Sequence, residues 1–148
     1  MVREVENKNG YLVKSLRKVQ GSGIIYTRSR KRTFELAELL RKQGVSSDFY
    51  HAGLGSDDRN KKQDAWQKGQ TRVIVATNAF GMGIDKPDVR FVIHYDLPDS
   101  LEAYYQEAGR AGRDGKQAFA VLLFNESDRN KAEQRKKSNF PEIKEIKA

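Results

Sequence analysis

Val73-Ile74-Val75-Ala76-Thr77-Asn78-Ala79-Phe80-Gly81-Met82-Gly83-Ile84-Asp85-Lys86-Pro87 opens as an unbroken apolar run and passes straight into a glycine-rich loop. A strand with one face in water alternates apolar and polar residues, whereas a strand covered on both faces reads as a continuous apolar run. The same texture returns in Val89-Arg90-Phe91-Val92-Ile93 and in Phe119-Ala120-Val121-Leu122-Leu123-Phe124. Strands are expected over 23–26, 47–50, 72–76, 91–94 and 118–124, with a candidate edge strand over 2–5. Helical stretches separate them, which is the signature of βαβ units. The fold class is therefore α/β, a three-layer α/β/α domain around a mainly parallel central sheet.

The helices carry their own punctuation. Residues 31–43 place Phe34, Leu36, Ala37, Leu39 and Leu40 on an apolar stripe, with Ser29 as cap and Gly44 as stop. Ser56-Asp57-Asp58 opens a second helix with carboxylates near its positive end, Ala65 and Trp66 on its apolar side and Gly69 at its close. Asp99 or Ser100 caps a third that runs to about Ala108, and 11–19 and 127–137 read as flanking helices. In the third helix, one of Tyr104 and Tyr105 is expected to face the core, against a base-stacking reading of the pair. Phe80 and Met82 read as packing groups.

With 148 residues, 37% of them hydrophobic, the chain can bury one core of ordinary size. A formal charge of +8 favours a polyanionic partner. Membrane is the weaker partner, since no apolar run approaches the ~20 residues that span a bilayer. Cysteine is absent and there are only two histidines, so disulfides and thiolate metal sites are excluded and no metal-binding residues are expected.

Chemistry concentrates in Gln106-Glu107-Ala108-Gly109-Arg110-Ala111-Gly112-Arg113-Asp114-Gly115. Two guanidinium forks on a glycine-flanked turn can bind phosphate oxygens in bidentate fashion, and arginine keeps its charge. A solvated basic turn is the plainer alternative for a single Gly-Arg pair; its repetition at a spacing of three favours the polyphosphate reading.

This segment resembles motif VI of superfamily 2 helicases, in the wording of the RecQ DNA helicases. The resemblance implies a RecA-like domain in which Arg113 is an arginine finger toward ATP held on a neighbouring domain, with Arg110 beside it and Gln106 tying the two together. Residues 76–87 resemble motif V: Thr77 and Asn78 would hold the DNA backbone, while Gly83 and Asp85 would approach ATP. A glycine-rich turn closed by an Asx bond from Asp85 is the alternative there. A dinucleotide fingerprint fails because Lys86 stands where the third glycine is needed. Thr27-Arg28-Ser29-Arg30 resembles motif IV, a seat for nucleic-acid phosphate at a helix start, against simple capping by Ser29 with solvated arginines. Tyr50-His51-Ala52-Gly53-Leu54 resembles the RecQ segment that follows, where His51 makes either a phosphate or backbone contact or a structural hydrogen bond. In an open α/β sheet ligands gather at the carboxyl ends of the strands, so every such loop is expected to carry phosphate-type chemistry.

A phosphate-cradling Gly-x-x-x-x-Gly-Lys-Ser/Thr loop is missing: before Gly115-Lys116, Arg110 occupies the first glycine position, and Gln117 replaces the hydroxyl. An acidic magnesium box is missing too. By resemblance the chain is the second RecA-like domain of a RecQ-type ATP-dependent 3′ to 5′ DNA helicase of the kind that serves repair and recombination, inactive as an ATPase alone. ATP and Mg2+ would be held mainly by the first RecA-like domain. The implied partners are that domain and single-stranded or partly duplex DNA, with no membrane and the isolated domain a monomer. Localisation would be cytoplasmic and nucleoid-associated in a bacterium, nuclear in a eukaryote. Residues 1–20 read as linker and flanking helix, 21–138 as the helicase domain, and 139–148 as the interrupted start of a following region. Two alternatives remain, a non-enzymatic basic nucleic-acid-binding module and a DEAD-box-like RNA helicase domain, although the latter generally has His-Arg in place of Gln106-Glu107.

Overall fold

A computed structural model describes residues 2–4, 7–77, 80 and 86–124. The helix expected over 127–137 and the segment 139–148 lie outside the described residues, as do Asn78, Gly83 and Asp85. The described chain runs β1 (Val2–Glu4), α1 (Lys8–Lys18), β2 (Ser22–Tyr26), α2 (Arg30–Lys42), β3 (Ser47–Tyr50), α3 (Ser56–Gln67), β4 (Val73–Ala76), β5 (Val89–His94), α4 (Leu101–Ala108) and β6 (Phe119–Phe124). The strands form one six-stranded sheet in the order β1-β6-β5-β2-β4-β3, and each recorded pairing is parallel.

Successive side chains on a strand point to opposite faces, so each apolar strand feeds two cores. Ile25, Val73, Val75, Phe91, Ile93, Val121 and Leu123 pack under α1 and α2, through Leu12, Leu16, Leu36, Ala37 and Leu40. Ile24, Tyr26, Ile74, Ala76 and Val92 face the other way and meet Trp66 of α3 together with Phe80. Tyr104 of α4 packs with Leu97, Leu122 and Phe124. The result is three layers, and burying each such aliphatic or aromatic side chain contributes about 1.5–3 kcal/mol. Trp66 also donates its indole N–H to the Gly23 carbonyl at 3.1 Å, which fixes α3 on the sheet.

The helix starts follow their caps. Ser29 accepts from the Arg32 amide at 3.2 Å, and Ser100, not Asp99, caps α4 by accepting from the Ala103 amide at 3.1 Å. Phe34 departs from the expected stripe. It is 49% exposed and sits edge-on to Phe49, 5.2 Å between centroids, because among the described residues β3 is the edge strand and no further strand extends beneath it.

Candidate nucleotide and nucleic-acid site

The order of the strands sets the geometry. From β2 the chain crosses through α2 to the edge strand β3, returns through α3 to β4, then passes to β5 on the other side of β2. The loops after β2, β3, β4 and β5 thus emerge side by side at one end of the sheet. Their first residues are stitched together: the amide of Thr27 donates to Ala76 at 2.9 Å, that of Thr77 to Tyr50 at 3.3 Å, and that of Tyr95 to Tyr26 at 2.8 Å.

Thr27, Arg28, Ser29, Arg30, His51 and Thr77 all belong to this carboxyl-end surface. Arg30 lies against Gly53, with its guanidinium 2.9 Å from where a Cβ would stand. The Gly53 amide donates to His51 Nδ1 at 3.0 Å, so the imidazole is held with Nδ1 as acceptor. Desolvation, and then the charges of Arg30 and Lys62, hold the His51 pKa below its ordinary value. Arg28 reaches Asp99 at 2.6 Å in a pair whose side chains are 49% and 63% exposed. Such an exposed pair is worth at most about 1 kcal/mol, so a phosphate can displace the carboxylate.

The loop after β5 corrects one expectation, because it carries carboxylates in place of phosphate-type chemistry. Asp96 accepts from the Thr27 hydroxyl at 2.5 Å, from the Arg28 amide at 2.9 Å and from the Arg32 guanidinium at 3.3 Å. It is the residue that shapes the loop after β2, and sequence reasoning missed it. The available signal was an acidic residue directly beyond a strand end and facing an arginine-rich loop. Thr27, Arg28, Thr77, His94, Asp96, Asp99 and Glu107 contribute to the walls of a cavity of about 160 Å3 at this end. Among the described residues no three His, Cys, Asp or Glu side chains gather in a metal-binding group.

The arginine turn lies elsewhere. From the carboxyl end of β5 the chain runs back through α4, and the turn is fastened to the amino end of β5. The Gly112 amide donates to the Val89 carbonyl at 2.9 Å and the Asp114 amide to the Pro87 carbonyl at 3.0 Å. The Asp114 carboxylate pairs with Arg90 at 2.5 Å, and that hydrogen bond leads the causes that hold its pKa below the usual carboxylate value. Arg113 stands between these two anchored residues, exposed, with no ion pair or side-chain hydrogen bond recorded among the described residues. Arg110 is half-buried and hydrogen-bonds the Tyr26 hydroxyl. Gln106 lies exposed on α4, while its neighbour Glu107 turns inward to His94 Nε2 at 3.0 Å. Tyr104 is fully buried and Tyr105 is 53% exposed, as expected of a helical pair with one face on the core. Burial raises the Tyr104 hydroxyl to about 12.

Residues 7–115 match the model of the helicase conserved C-terminal domain. The ATP-dependent DNA helicase RecQ of Pasteurella multocida is 55% identical over 107 residues, 72% of this chain and 17% of that protein. The ATP-dependent DNA helicase Q-like 2 of Arabidopsis thaliana is 52% identical over 107 residues, 72% of this chain and 15% of its own length. The chain therefore spans less than a fifth of these curated relatives. Among solved structures, the E. coli DEAD-box protein SrmB aligns with a TM-score of 0.80 at 28% identity, over 95% of this chain and 85% of that one. A DEAD box protein from Methanococcus jannaschii aligns with a TM-score of 0.78 at 29% identity, over 93% of this chain and 38% of that one. No helix among the described residues is long and apolar enough to cross a membrane.

Proposed function

The chain belongs to the helicase conserved C-terminal domain family, and from that premise we propose that it is the second motor domain of a RecQ-type ATP-dependent 3′ to 5′ DNA helicase. The observation that supports this reading is the separation of two arginine-bearing surfaces on one sheet, one at the carboxyl ends of the strands and one on the turn anchored at the amino end of β5. Thr27, Arg28, Ser29, Arg30, His51 and Thr77, with Asn78 beside them in sequence, take the backbone of single-stranded DNA at the carboxyl ends of the strands. Arg113, with Arg110 behind it and Gln106 on the preceding helix α4, serves ATP bound on a first motor domain, toward which Gly83 and Asp85 also contribute.

Arg113 acts by charge. Phosphoryl transfer spreads negative charge over the equatorial oxygens, and a guanidinium fixed beside them stabilises the transition state by about three to five orders of magnitude in rate. A finger works in proportion to how little it must reorganise, and anchoring of Gly112 and Asp114 on either side supports that role. Mg2+ would be held mainly by the first domain and would supply neutralisation of the charge that develops on the phosphates. Alone, this domain binds nucleic acid weakly as a monomer and hydrolyses nothing. Closing and opening of the two domains around ATP moves the pair along the DNA strand.

A DEAD-box-like RNA helicase domain shares the fold, as the solved neighbours illustrate, so architecture does not discriminate. Sequence does: identity to the RecQ relatives is 55% and 52%, against 28% and 29% to the DEAD-box structures. A purely binding module would have no use for an anchored arginine away from the DNA surface. The test joins this chain to the first RecA-like domain of a RecQ helicase and measures steady-state ATP hydrolysis with single-stranded DNA and RNA. The expected result is DNA-stimulated turnover that collapses in Arg113→Ala with DNA affinity unchanged. Turnover indifferent to Arg113 would sink the finger assignment, and stimulation by RNA alone would favour the DEAD-box reading.

A further inference from the structure

Tyr26 stands where three segments of the proposed machinery meet. It is the last residue of β2, immediately before the Thr27-Arg28 loop, and is 3% exposed. Its hydroxyl donates to the Phe80 carbonyl in the loop after β4, at 3.4 Å, and accepts from the Arg110 guanidinium of the arginine turn. A phenol has one proton to give and lone pairs to receive, so a single oxygen serves both contacts. Burial holds the hydroxyl protonated well above its ordinary range. The ring is clamped as well: His94 stacks on it with 5.1 Å between centroids and 23° between planes, and Glu107 holds His94 from α4 at 3.0 Å. Tyr26, His94 and Glu107 also form part of the wall of the carboxyl-end cavity, beside Thr27 and Thr77.

We propose that Tyr26 is a positioning residue that couples the two surfaces: seating of a DNA backbone at Thr27 and Thr77 shifts the Tyr26 ring, and its hydroxyl sets the orientation of Arg110. The coupling rests on the reading of the two surfaces given under Proposed function. Its physical basis is that an aromatic ring packed on both sides moves as a rigid lever, so displacement at its backbone end appears at its hydroxyl. His94 and Glu107 keep the lever from pivoting freely. Arg113, being exposed and anchored through its neighbours' backbone, lies outside this linkage and serves as the internal control.

Tyr26→Phe removes the oxygen and keeps the ring, its stacking and its volume, so the fold is retained; Glu107→Gln keeps a hydrogen-bonding partner for His94. The measurement is the NMR signal of the arginine Nε–H groups in this chain, titrated with a single-stranded oligothymidylate. The expected result is that the oligonucleotide shifts the Arg110 signal in the parent, leaves Arg113 nearly still, and loses its effect on Arg110 in Tyr26→Phe while binding with the same affinity. The shift is expected to persist in Glu107→Gln, since the clamp on His94 survives. In the chain joined to a first motor domain, Tyr26→Phe should lower kcat for DNA-stimulated hydrolysis about tenfold to a hundredfold with little change in the DNA concentration needed for half-stimulation. Binding without any shift at Arg110, or an unchanged shift in Tyr26→Phe, would overturn the coupling and leave the two-surface reading standing. Absence of oligonucleotide binding by the parent would overturn the two-surface reading and the coupling with it.

Discussion

Gly112 is the position where stability and catalysis should part company. Its φ is +67°, and a Cβ built there would lie 2.9 Å from the Ala118 Cβ and 3.1 Å from the Lys116 carbonyl oxygen. Gly112→Ala therefore meets two penalties: a left-handed conformation costs an L-residue about 1 kcal/mol or a little more, and the overlap adds about 1 kcal/mol. For a domain of this size about 2 kcal/mol lowers Tm by about 6 °C. Gly115 supplies the comparison, because its φ is +80° but nothing lies within 4 Å of its missing Cβ. Gly115→Ala should meet only the first penalty, about 1 kcal/mol and about 3 °C. Thermal unfolding of both variants checks the difference. In the two-domain protein Gly112→Ala should also reduce kcat far more than Gly115→Ala, since relief of the overlap moves the amide that anchors Arg113 to Val89. Equal Tm losses, or undiminished turnover in Gly112→Ala, would refute the idea that this turn is held by Gly112.

Other perturbations test the two surfaces separately. Asp114 titrates below its ordinary value of 3.8 in the folded chain, so its pairing with Arg90 stabilises above that value and is lost as pH falls through the lowered one; the Tm gap between parent and Asp114→Asn should close on acidification, and a constant gap would count against the pair. His51 has a pKa lowered from 6.5, so the unfolded chain binds its proton first and stability falls as pH drops through that region. A bound oligonucleotide phosphate would raise the His51 pKa, read by NMR titration; an unmoved value would leave only the structural hydrogen bond to Gly53. Arg28→Ala should weaken DNA binding across sequences and reduce the salt slope by about 1, while Asp99→Asn, by freeing Arg28, should strengthen binding; equal affinities for both would mean that Arg28 does not touch phosphate.

The sheet was legible because β4, β5 and much of β6 are apolar on both faces, and continuous hydrophobic runs have few other uses in a chain of this charge. Helix ends were legible where a single side chain decides them, as at Ser29. Phe34 was misjudged for a reason that lies outside α2: periodicity reports which face of a helix is apolar, but not how far the sheet beneath it extends. Tyr26 was legible as a strand residue and not as a junction, because its partners Phe80, His94 and Arg110 are distant in sequence and meet only after β5 has been laid beside β2 and α4 folded back across it. Asp96 belongs to the same class, since a carboxylate becomes the organiser of the loop after β2 only once two strand ends are adjacent.

The shared direction of β4 and β5 accounts for the separation of the two proposed surfaces on one domain. β4 ends at Ala76 and leads into Thr77 at the carboxyl edge, and β5 must start at the opposite edge because the two strands run in the same direction in the sheet. At that amino end the Pro87 and Val89 carbonyls receive the arginine turn. α4 runs from the carboxyl end of β5 back toward that turn. The Phe80 carbonyl, from beyond the proposed DNA surface, and the Arg110 guanidinium, from the proposed ATP surface, both meet the Tyr26 hydroxyl. On the proposed reading the parallel sheet supplies the distance that would keep an anionic nucleotide apart from an anionic DNA backbone, and the Tyr26 hydroxyl is where the two surfaces are joined.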